Sequence, residues 1–148
     1  MQREEKREEI TLLAIALAEA DGLSPVQLQK TVFLFQELLL TDVGISERYQ
    51  FIPHNYGPFC SDIYSDAILL SCDSLITIDK ENGRSYNSYH ITPSGSKKAE
   101  GILKSWDESN VEYASNIVKW VKQQTFRSLV STIYKNWPKY KEKSIFME

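Results

Sequence analysis

The sequence predicts a mainly helical α+β chain: a winged-helix-like core of three helices and a β-hairpin wing, then a C-terminal helical extension. Three observations carry this expectation. Start signals converge on "LSPVQLQKTVFLFQELLL", an aromatic run ends in Gly57-Pro58 just before a helical stretch, and two alternating runs flank Asn82-Gly83. One domain is expected, with the core in 1–105 and the C-terminal helices in 106–148, since 148 residues is an ordinary domain size.

The first helix is predicted over 4–20, where Ile10, Leu13, Ala14 and Leu17 share a face and Gly22 stops the chain. In the second, Ser24 is the N-cap, Pro25 the first helical residue and Gln27 the return of a capping box. Leu28, Val32, Phe35 and Leu39 recur at helical spacing, and Leu34 and Leu38 widen the stripe, so this is the central core helix. A polar loop is expected over 42–50 and extended chain over 49–53. Gly57-Pro58 then opens a third helix, 59–73, with Ile63, Ala67 and Leu70 inward and Asp62 and Asp66 on its surface. Asn82-Gly83 predicts a hairpin over 76–91, because two residues tolerant of positive φ make the tight turn. Thr92-Pro93 starts another helix. Residues 110–136 are helical, with a break at Gln123-Gln124-Thr125 and an end before Pro138.

Hydrophobic residues make up 42% and charged residues 25%, as in soluble globular chains. No apolar run approaches the roughly 20 residues that span a bilayer, and "MQREEKREEI" is too charged for a signal peptide, so cytoplasmic residence without a membrane partner is expected. Cys60 and Cys72, twelve apart, are expected to be unpaired, buried thiols. The net charge of −3 is unevenly spread: 1–96 hold 7 basic against 14 acidic residues, and 97–148 hold 10 against 6.

That distribution argues against the usual winged-helix role. The helix before the wing normally enters the major groove, yet "FCSDIYSDAILLSCDSL" contains no Lys or Arg, and its aspartates would repel phosphates. Nucleic acid is therefore not expected on helix 59–73. If nucleic acid is bound at all, Arg84 at the wing tip and Lys119, Lys122 and Arg127 in the basic third would carry it, in a transcription regulator that dimerises through 110–136. Most of those lysines read more simply as a solvated face, and Trp120 and Trp137 as core or lid residues.

Catalysis finds little support. His54 and Cys60 are close in sequence but lack an orienting third group. No paired ligand spacing suggests a metal, and no Gly-rich loop suggests a phosphate. No cofactor, metal or catalytic residue is assigned, and the chain is expected not to be an enzyme. In "FIPHNYGPFCSDIY", Phe51 and Tyr56 can pack over the core helix, or His54, Asn55, Tyr56 and Phe59 can line a groove for a partner.

"LQKTVFLFQELLL" followed by "FIPHNYGPFCSDIY" resembles the prokaryotic Panacea (SocA-like antitoxin) domain and the related YwgA-like proteins. The resemblance rests on Leu28-Gln29-Lys30, Tyr56-Gly57-Pro58, Ile91-Thr92-Pro93-Ser94-Gly95 and the ending "IYKNWPKYKEKS", and spans roughly 24–144. Panacea members often carry "AWKYGPV" where this chain has "IPHNYGPF". The resemblance implies a non-catalytic antitoxin-like or adaptor module, in a toxin–antitoxin or antiphage defence setting, with a protein partner. Charge adds that the partner is basic, met by His54, Asn55, Tyr56, Phe59, Asp62 and Asp66.

Overall fold

The structure, a computed structural model, describes residues 6–80 and 86–145. The element order is α1 (Arg7–Leu17), α2 (Pro25–Leu38), a short α3 (Leu40–Val43), β1 (Ile52–His54), β2 (Gly57–Phe59), α4 (Asp62–Cys72), β3 (Ile76–Lys80), β4 (Asn87–Ile91), α5 (Pro93–Leu103), α6 (Glu108–Gln123) and α7 (Phe126–Asn136). The fold is α+β and mainly helical, with two antiparallel two-stranded sheets, β1–β2 and β3–β4. None of the described helices is long and apolar enough to cross a membrane.

α2 starts as its residues require. Ser24 Oγ accepts from the Gln27 amide at 3.2 Å and the Gln27 side chain accepts from the Ser24 amide at 2.9 Å, so two orphan donors are satisfied reciprocally. The helix is central: Leu28, Val32, Phe33 and Phe35 are wholly buried. Phe33 meets Phe51, Trp137 and Tyr140 edge-on at 5.1–5.3 Å, drawing the end of the chain onto α2. The buried residues form one cluster running from Ile10 to Tyr140.

The β3–β4 hairpin has Ile76 opposite Ile91 and Lys80 opposite Asn87. Its turn, including Asn82, Gly83 and Arg84, lies outside the described residues. β4 also bridges Leu23, the residue between α1 and α2, through Tyr89. His90 is structural: its Nδ1 reaches the Ala20 carbonyl at 3.3 Å and its Nε2 the Ser88 hydroxyl at 2.9 Å. α5 begins with Thr92 Oγ1 accepting from the Gly95 amide, and a Cβ on Gly95 would overlap the Leu75 carbonyl. The break between α6 and α7 falls at Gln124-Thr125, with Thr125 capping α7.

Four expectations are corrected. Residues 40–43 are a helical turn, because Leu40 is buried and holds it to the core. The third helix starts at Asp62, since 57–59 pair as a strand with 52–54. Cys60 is buried but Cys72 is exposed on the outer face of α4. Asp66 is buried at 6% exposure, although a carboxylate at its spacing reads as a surface group.

Candidate functional site

The β1–β2 hairpin reverses through Asn55-Tyr56, with His54 opposite Gly57 and Pro53 opposite Pro58. Paired residues in such a ladder alternate between exchanging and not exchanging hydrogen bonds, and the pair next to the turn exchanges them. The two prolines therefore face each other where no N–H is needed. Gly57 has φ of +104°, a conformation that strongly favours glycine.

Two buried polar residues on α2 hold this hairpin. Gln29 accepts from the Cys60 amide at 3.0 Å and donates to the Cys60 carbonyl at 2.9 Å, standing in for a missing neighbouring strand. Lys30 Nζ donates to the Pro58 carbonyl at 2.9 Å. Its side chain is 97% hidden (3% exposed), and burial lowers the amine from 10.5 to about 7. The C-terminal segment closes the other side. Tyr134 donates to Ser144 Oγ at 2.6 Å, while Ser144 Oγ and the Ile145 amide both donate to the Asn55 carbonyl. A Cβ on Gly57 would stand 3.2 Å from Tyr134 Cε1 and 3.7 Å from Lys30 Nζ. Three stretches distant in sequence, Gln29-Lys30, Tyr56-Gly57-Pro58 and Tyr134 with Ser144, thus meet at one place.

The outer side of the hairpin is aromatic. His54 stacks on Phe59 at 4.6 Å, Phe59 meets the edge of Tyr64 at 5.9 Å, and Tyr56 meets Phe126 at 5.1 Å. Burial raises the Tyr64 hydroxyl to about 12, so it stays protonated as a donor. Between hairpin and helices lies a cavity of about 180 Å³ lined by Val26, Gln29, Lys30, His54, Tyr56, Phe59 and Tyr64, among others. His54, Asn55, Tyr56 and Phe59 are therefore brought together.

Asp62 and Asp66 belong elsewhere. Asp66 Oδ2 accepts from Tyr49 OH at 2.7 Å and from Arg7 Nε at 3.1 Å, and Thr11 donates to the same tyrosine hydroxyl at 2.7 Å. Arg7 also stacks over the Tyr49 ring, with its guanidinium carbon 4.7 Å from the ring centre. This network ties α1 to α4 and to the chain before β1, so Asp66 does not face a partner. Asp62 is half exposed and takes only a 3.3 Å contact from Arg7. The rest of the outward face of α4 is Ser61, Ser65, Ile68, Leu69, Cys72 and Asp73. Ile68 and Leu69 are 57% and 55% exposed, and no cation stands among these residues.

Lys119, Lys122 and Arg127 lie in three different settings. Lys122 donates to the Ala18 carbonyl at 2.9 Å and to Asp21 at 2.8 Å, pinning α6 to the end of α1 and holding the Asp21 carboxyl below its usual range. Lys119 is exposed in a depression that it lines with Lys104, Glu108 and Glu112, two charges of each sign. Arg127 is exposed in the first turn of α7. Among the described residues no three His, Cys, Asp or Glu side chains gather as a metal site needs.

Sequence reasoning missed Lys30 and Gln29 as the hairpin's anchors and Ile68 and Leu69 as exposed apolar groups. The first had a signal, since Gln and Lys sit inside a stretch that α2 buries on every side. No family model matches the chain, and no curated protein matches it either.

Proposed function

We propose that this chain is a non-catalytic protein-recognition module of winged-helix-like build, antitoxin-like or an adaptor, whose partner docks on α4 and the neighbouring β1–β2 hairpin. The observation that carries the reading is the outward face of α4, where two exposed aliphatics sit among serines and aspartates that α4 itself supplies no cation to balance, Arg7 of α1 reaching only its Asp62 end. Such a surface suits a protein, because apolar anchors rimmed by polar groups are how interfaces are built, and it opposes phosphate. Support for the winged-helix-like build comes from the order α1, α2, α4 and β3–β4, together with the Leu23–Tyr89 bridge.

Asp62 and Asp73 favour a partner with basic groups opposite Ile68 and Leu69, and complementary charge speeds encounter and sets register. A toxin or effector that acts on nucleic acid has that character. The resemblance to Panacea and YwgA-like proteins points the same way. The other reading, a DNA-binding transcription regulator, draws on the same build and on the exposed Arg127. A duplex titration at two salt concentrations separates the two. The recognition module leaves the duplex free at both. A regulator binds at low salt and loses affinity steeply as salt rises, because each phosphate contact releases a counterion.

A further inference from the structure

A buried charge normally has an opposite charge beside it, yet among the described residues Lys30 has none. Its ammonium can donate three hydrogen bonds, and the acceptor it finds among the described residues is the Pro58 carbonyl. No Asp or Glu lines the cavity it borders. The titratable groups that face it are His54 from β1, Tyr56 from the turn, Tyr64 from α4 and, beyond Gly57, Tyr134 from α7. All of these can donate, and none is a carboxylate. The remaining walls are the amide side chains of Gln29 and Asn55, Gly57, and the apolar Val26 and Phe59.

We infer that this cavity is a receptor for one carboxylate on a short apolar stem, with the Lys30 ammonium as its counter-ion. Size supports the match. A volume of about 180 Å³ equals about six waters at roughly 30 Å³ each, which suits an acid of isobutyrate size and is too small for a drug-sized ligand. The carboxylate supplies the missing partner to an ammonium that is itself buried, where a charge-assisted hydrogen bond is strong. The stem lies against Val26 and Phe59. The acid can arrive free or on a Glu side chain of a bound segment, since both present the same group. The inference does not depend on what α4 binds.

The test follows the Lys30 side-chain resonance of ¹³C-labelled protein while sodium isobutyrate is added, with neutral isobutyramide as the isosteric control. The expected result is a saturable shift confined to residues around the cavity, with the Lys30 titration midpoint rising by a unit or more. Isobutyramide produces no such change, and Lys30→Met abolishes the response. An acetylated Gly-Glu-Gly amide peptide decides the source of the acid. Binding of isobutyrate alone means a free small acid, and peptide binding at least tenfold tighter means a side chain from a partner. If isobutyrate leaves Lys30 unmoved, or isobutyramide acts equally, the inference is overturned. The wild-type measurement decides this even if Lys30→Met does not fold. Loss of α4-dependent partner capture, with the Lys30 response intact, would count against the recognition reading alone.

Discussion

Replacing Lys30 by Met should change how stability depends on pH, because a buried amine is held near pH 7 only by its removal from water. The folded protein binds the Lys30 proton with an affinity of about 7, against 10.5 for the ordinary amine. At about 1.4 kcal/mol per pH unit, keeping the ammonium folded at low pH costs on the order of 5 kcal/mol. Between pH 7 and 10.5 the unfolded chain carries this proton and the folded chain largely does not. Stability therefore rises with pH across that window, and the cost is fully present only below pH 7. From pH 6 to pH 9 the gain is about 2–3 kcal/mol. Methionine keeps the volume and has no proton to lose, but it leaves the Pro58 carbonyl unpaired, a pH-independent loss of about 1–2 kcal/mol. Urea unfolding of both proteins in carboxylate-free buffers at pH 6, 7, 8 and 9 reads the difference. The variant should be the more stable protein at pH 6, with that lead shrinking by about 2–3 kcal/mol by pH 9. Parallel stability curves would refute the claim that Lys30 is buried without a counter-ion.

Other substitutions test the remaining joints. Gly57→Ala should cost about 1–3 kcal/mol in urea unfolding, since it combines a positive φ with a close approach to Tyr134. Asp66→Ala should cost about 3 kcal/mol by stranding Arg7 and Tyr49, while Asp62→Ala should cost under about 1 kcal/mol because Asp62 is half exposed. Equal losses would mean that the two carboxylates share one environment. Gln29→Leu removes both bonds to Cys60 and should speed proteolysis within 52–60 more than elsewhere, read by limited digestion and mass mapping.

Local signals in the sequence were good guides where one element decides its own form. The Ser24–Gln27 box, the Thr92-Pro93 start and the break at 123–125 depend on neighbours a few residues away, and all appear in the structure. The β1–β2 hairpin did not announce itself, because its backbone partners are Gln29 and Lys30 on another helix. Pro53 and Pro58 also look like strand breakers until their register is known. Asp66 was misjudged for a similar reason. Its spacing from Asp62 places both near one side of α4, but Arg7 and Tyr49 arrive from distant segments to cover only one of them. His54, Asn55, Tyr56 and Phe59 were legible as a cluster because they are contiguous in the chain. The cavity behind them was not, since Lys30 reaches it from α2 across 23 intervening positions.

The most direct test of the recognition reading is native co-purification of the tagged chain beside a variant carrying Ile68→Lys and Leu69→Lys, with folding of both verified by circular dichroism. These side chains are more than half exposed, so the substitutions should leave the fold intact. The account predicts a stoichiometric basic protein bound to the wild type, its loss from the variant, and a 260/280 nm absorbance ratio typical of protein alone. Nucleic acid bound equally by both chains and released by salt, with no protein partner, would contradict it.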